Sequence, residues 1–120
     1  MVHTMLKRFD EPDEVRRFRN GQFEIVRLGG VTLGRATYQP GWRWSTHVGE
    51  ALHKERCDVE HVGIVISGTA EAAMADGTVI VLRPGDVFHI PPDHDSWVVG
   101  DEPYVSLHVL GADAYAVAKQ

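Results

Sequence analysis

Cysteine is almost absent from this chain: Cys57 stands alone among 120 residues, so no internal disulfide is available to hold the fold. Long apolar runs are missing too. None approaches the roughly 20 residues that a membrane span needs, and the N-terminus lacks the apolar stretch of a secretory signal. Basic charge is in deficit: 12 Lys and Arg face 17 Asp and Glu, for a net charge of -5 with His neutral. The basic run of Arg16, Arg17 and Arg19 directly follows Asp10, Glu11, Asp13 and Glu14, which makes a balanced, solvated stretch rather than a docking stripe for phosphates. These absences predict a reduced, cytoplasmic protein that engages neither nucleic acid nor membrane.

What is present is ordinary globular composition, 43% hydrophobic and 24% charged, at a length that suits one domain with a modest core. Asp10-Glu11-Pro12-Asp13-Glu14 combines an N-cap, an early proline and acids near the positive helix end, and predicts a short helix within residues 11–19, stopped by Asn20-Gly21. No other segment has helical character. From Gln22 onward, short runs rich in β-branched residues alternate with turn signals. Strands are expected at 22–28, 31–39, 42–47, 59–67, 70–75, 78–82, 87–90, 96–99 and 104–110.

The punctuation is specific. Asp76-Gly77 predicts a type I′ hairpin, and Gly29-Gly30 can do the same work. Pro40-Gly41, Pro84-Gly85 and Pro91-Pro92 mark corners where a strand ladder must break. Residues 48–56 are polar and are expected as a loop at the mouth of a barrel. The organisation that follows is an N-terminal segment, 1–21, a β-barrel domain, 22–110, and a tail, 111–120. The fold class is all-β, a sandwich or barrel preceded by one short helix.

Chemistry-bearing residues fall into this frame by strand parity. On a strand 42–47, His47 shares a face with Arg43 and Ser45, so these three would line a polar pocket while Trp42 and Trp44 pack on the opposite side. Cys57, Val59, His61, Gly63 and Val65 likewise share a parity, setting a thiol and an imidazole beside small apolar neighbours. His61 and Cys57 can be read as a metal half-site, or as a buried, hydrogen-bonded imidazole and a small core residue. His94, between Asp93 and Asp95, is either a ligand or part of a solvated turn. His89 and His108 lie on strands from which they can line the barrel, whereas His53 belongs to the exposed loop.

Pro40-Gly41, then five residues and His47; His61, then six residues and Gly68; and Pro84-Gly85-Asp86 followed by Ile90-Pro91 together resemble the two motifs of the cupin superfamily. The resemblance spans residues 35–108. It implies a double-stranded β-helix, or jelly roll, and typically a homodimer with one divalent metal held by motif His and Glu side chains. In this sequence His47 stands at the first motif His, and Gly49 replaces the second. Counted back from Gly68, His61 occupies the place of the motif Glu and Cys57 that of the second His. Ser96 stands where the last motif His belongs, with His94 two residues earlier. Gly41-Trp42-Arg43-Trp44-Ser45 and the stretch 90–103 also resemble a subgroup of small bacterial cupins.

The resemblance thus implies a divalent metal, Zn, Fe, Mn, Ni or Cu, held by His47, His61, Cys57 and His94. Arg43, Ser45, His89, Ser96 and His108 are expected around a small organic ligand. Imidazole donors suit Zn, Cu, Fe and Ni, and a thiolate shifts the preference toward Zn or Cu(I). Two functional classes follow: a metal-dependent oxygenase, isomerase or lyase, and a non-catalytic module that binds or senses a small ligand without metal.

Overall fold

The computed structural model describes residues 4–117. Nine strands run through them: β1 (Glu14–Phe18), β2 (Gly21–Leu28), β3 (Val31–Tyr38), β4 (His61–Ser67), β5 (Thr69–Met74), β6 (Val79–Leu82), β7 (Val87–Ile90), β8 (His94–Val99) and β9 (Tyr104–Leu110). Two four-residue helices, α1 (Trp44–His47) and α2 (Gly49–Leu52), interrupt them between β3 and β4. Every strand pair is antiparallel. One sheet has the order β1-β2-β3-β9-β4-β7 and the other β6-β5-β8. Their inner faces, carrying Phe23, Ile25, Val65, Ala72 and Leu82, enclose the core of a jelly roll. No helix among the described residues is long and apolar enough to cross a membrane.

Turn chemistry sets the strand registers. Gly29 and Gly30 both take positive φ, 56° and 78°, and Leu28 pairs with Val31, which is the two-residue type I′ hairpin that glycine permits. The Asp76-Gly77 turn differs from expectation. Only Gly77 has positive φ, 92°, and its N–H donates to the Met74 carbonyl, while the Asp76 carboxylate accepts from the Thr78 N–H at 2.9 Å. The side chain of Asp76 closes a three-residue loop in place of a second left-handed residue. At Gly63 an added Cβ would stand 2.2 Å from the Leu107 carbonyl oxygen, so glycine lets β4 approach β9 where their register shifts.

Three expected elements are corrected, the first being the loop expected at 48–56, of which Gly49–Leu52 form α2. Residues 14–18 form strand β1, not a helix: Glu14 pairs with Ile25 and Phe18 with Gly21 along the open edge of β2. Helix-cap signals act only locally, and a helix this short is marginal in water, so a complete ladder outweighs them. Residues 44–47 form α1, not a strand. Only Arg43 bridges to Trp97, after which the chain turns because the Asp95 carboxylate accepts the Ser45 N–H at 3.0 Å and His47 Nδ1 accepts the Arg43 N–H at 2.9 Å. Two side chains thus satisfy amides that a strand would have paired. The C-terminal stretch also joins the fold, since Ala112 and Tyr115 are buried in the core.

Candidate metal centre

Three elements bring a thiol and two imidazoles together. Cys57 follows α2 and is tied to the start of β8 by backbone alone: its N–H donates to the His94 carbonyl at 2.7 Å, and its own carbonyl accepts from the Asp93 N–H at 2.8 Å. Asp93 adopts positive φ, 75°, to complete this turn. His61 opens β4, pointing inward like Gly63 and Val65. The ligand atoms of Cys57, His61 and His94 lie within 4.8 Å of one another, and the three residues are 1%, 4% and 3% exposed.

The detailed geometry is directional. His94 Nδ1 donates to the Pro91 carbonyl at 2.7 Å, and since a carbonyl can only accept, the proton is on Nδ1 and the lone pair on Nε2. This is the outer contact that orients metal-binding imidazoles. Cys57 Sγ and His61 Nε2 are 3.5 Å apart. A thiolate and an imidazole bound tetrahedrally at about 2.3 and 2.0–2.1 Å span about 3.5 Å. The residues present therefore fit a tetrahedral cation.

Electrostatics keep the trio neutral on its own. Burial pushes the Cys57 thiol up to about 12. Burial, with His108 and His94 adding to it, lowers His61 to about 2, and burial also lowers His94. A thiol and neutral imidazoles are the favoured forms in this dry corner, and a cation would reverse the preference at sulfur by stabilising the thiolate.

His61 and His94 open onto an interior cavity of about 40 Å³, whose wall also includes Trp42, Trp44, His108 and Tyr115. His108 Nε2 lies 3.0 Å from Ser106 Oγ, and its ring stands 5.1 Å from that of His61. Tyr38 and Tyr115 share a hydroxyl–hydroxyl hydrogen bond of 2.7 Å on the same wall.

The structure divides the residues expected to form the site. Cys57, His61 and His94 come together, and Ser96 and His108 line the cavity. His47 does not join them: it is half-buried on the outer side of α1, beside Arg17 and Phe18. Arg43 stacks over the Trp97 ring at 4.4 Å and pairs with Asp95, and Ser45 Oγ donates to the same carboxylate at 2.8 Å, so both border an outer groove rather than the cavity. His89 is exposed and pairs with Glu60 at 2.7 Å. For Arg43, Ser45 and His47 the cause is the helical turn at 44–47, which voids the strand parity assumed for that segment and turns Trp42 and Trp44 inward; His89 faces outward by the alternation of β7, whose inward residues are Phe88 and Ile90. Parity thus missed both tryptophans. Tyr115 was missed because it lies beyond the last strand, where its aromatic ring among small residues was the available signal.

No protein-family model matches the chain, and no curated protein sequence does. Solved structures do. The oxalate decarboxylase of Lactobacillus farciminis, in its formate complex, superposes with a TM-score of 0.61 at 19% identity over 82% of this chain. Procruciferin, an 11S globulin from Brassica napus, gives 0.62 at 17% identity over 88%. This chain spans 30% of the length of each. A structural-genomics protein of unknown function from Rhizobium leguminosarum bv. viciae 3841 gives 0.64 at 18% identity, covering 91% of this chain and 97% of its own. Two antiparallel sheets closed over one core give the chain the cupin-type jelly-roll fold that these structures share.

Proposed function

We propose that this chain is a metal-binding cupin in which Cys57, His61 and His94 hold one divalent cation, with a small ligand taking the remaining position from the cavity side. The observation that carries the reading is the convergence of three fully buried donors within 4.8 Å. A thiolate with two imidazoles favours Zn among the metals open to this fold. A cation held there supplies Lewis acidity to an oxygen or nitrogen of the ligand. The chain itself contributes orientation through the Pro91 carbonyl on His94 and exclusion of water through Trp42, Trp44 and Tyr115.

A non-catalytic binding or sensing role is the second reading, and one feature favours it: among the described residues no carboxylate lines the cavity to stand ready as a general base. Two further expectations belong to this proposal. The buried thiol suits a reducing, cytoplasmic setting. The outer face of adjoining strands β9, β4 and β7 exposes Val109, Ile66 and Val87, Val87 at 75%, and suits a two-fold homodimer.

Metal content of tag-free protein tests the central claim. One equivalent of Zn is expected in the wild type, with Cys57→Ser and His61→Ala each weakening retention about 100-fold against a chromophoric chelator while the β-sheet circular dichroism persists. Zinc held equally well by both variants would overturn the assignment.

A further inference from the structure

Trp42 and Trp44 are 1% and 3% exposed, both line the cavity, and the indole Nε1–H of each is buried without an acceptor on any described residue. Their rings are fixed: Trp42 stacks on Tyr38 at 3.7 Å and 3°, and Trp44 packs against Gly49, where an added Cβ would stand 2.5 Å from its ring. A buried N–H left unpaired costs about 1–3 kcal/mol. Two such donors lie within three residues of sequence on side chains that line the cavity, where His61 Nδ1 and His108 Nδ1 also lack a partner among the described residues. An acceptor inside the cavity relieves them together.

Size and charge narrow that acceptor. At about 40 Å³ the cavity exceeds what a single water needs by only a few-fold, so the acceptor is small. A divalent cation bound by one thiolate and two neutral imidazoles keeps one net positive charge. In a water-poor cavity that charge calls for a single negative charge, and among the described residues the walls offer no carboxylate to provide it.

We propose that the cavity binds a monoanion of about three heavy atoms, one end at the Cys57–His61–His94 site and the other accepting hydrogen bonds from the indole N–H groups of Trp42 and Trp44. This rests on the metal reading above and names the ligand class of that same site. Azide and formate have the right size and charge. Benzoate has the charge and not the size.

Cobalt(II) added to the full chain separates the two levels. A thiolate-to-cobalt absorption band in the near ultraviolet, saturating at one equivalent, reports the metal site. Azide or formate is then expected to shift the visible cobalt bands in a saturable, one-to-one manner, while benzoate leaves them unchanged. Trp42→Phe and Trp44→Phe should each weaken the anion about tenfold with cobalt affinity unaltered, and either variant suffices if the other fails to fold. Absence of the thiolate band overturns the metal reading and this one with it. A normal thiolate band with visible bands indifferent to azide and formate, equal binding of benzoate, or undiminished anion affinity in the foldable Trp→Phe variants overturns the anion site alone.

Discussion

Acidifying the metal-free protein from pH 7 to pH 5.5 is expected to remove about 2–3 kcal/mol of folding stability through His61 and His108 alone. Burial, the dominant cause at both, holds His61 at about 2 and His108 at about 4, against an ordinary value of 6.5. Each therefore remains neutral in the folded chain at a pH where the unfolded chain has already taken up a proton. The stability tied to the neutral form is whole above 6.5 and drains away as the pH falls from 6.5 toward the depressed values. For one such group the loss relative to pH 7 is about 1 kcal/mol at pH 5.5 and about 2 kcal/mol at pH 5. His94 shifts in the same direction, by burial, and adds to the slope. The lowered carboxylates Asp13, Glu14, Asp76 and Asp113 begin from 3.8 to 4.5, so their contributions fade only at lower pH and leave this window to the histidines. Urea unfolding with a chelator present, at half-unit steps between pH 7.5 and 5, measures the slope. His61→Leu should reduce the loss between pH 7 and pH 5.5 by about 1 kcal/mol, the share of one imidazole. A wild-type midpoint that stays flat across the window would show that the imidazoles accept protons in place, and the burial argument would fall.

Two other outcomes are expected. Arg16 Nη1 donates to the carbonyls of Ala112, Asp113 and Tyr115 at 3.1, 3.0 and 2.7 Å, so Arg16→Met should cost about 2 kcal/mol and speed proteolysis after Leu110; an unchanged cleavage rate would deny the clamp. Sedimentation at micromolar concentration should show a dimer that Val87→Lys splits, and a wild type that sediments only as monomer would leave the apolar outer face without that partner.

The strands and their corners were legible because period-two patterning and glycine or proline punctuation are local signals that packing here reinforces. β2, β3, β7 and β9 lie close to the spans read from residues alone. The failures at 14–18 and 44–47 differ in form. At 14–18 the deciding partner is the next strand, β2, reached through a tight turn in which Asn20 takes positive φ, so that Asn20-Gly21 is a hairpin and not a helix stop; at 44–47 it is the Asp95 carboxylate, some fifty residues away. Cys57 and His61 were readable as neighbours by parity, and His94 by its place near the second motif. What brings Cys57 to His94 is a backbone bridge between a loop and a turn, and no periodicity encodes it. His47 carried the stronger motif signal and lies outside the trio because its segment coils.

That bridge has a consequence for how such a chain tolerates change. Cys57 is anchored at its own amide and carbonyl, downstream of everything from Arg43 to Arg56. Substitutions at the exposed Glu50, Glu55 and Arg56, which border the outer groove, leave that anchor untouched. The donors and the groove are therefore separable under variation: the groove can change its charge while the coordination chemistry stays fixed. Exchange of these side chains is thus a route to a differently charged outer surface on an unchanged barrel.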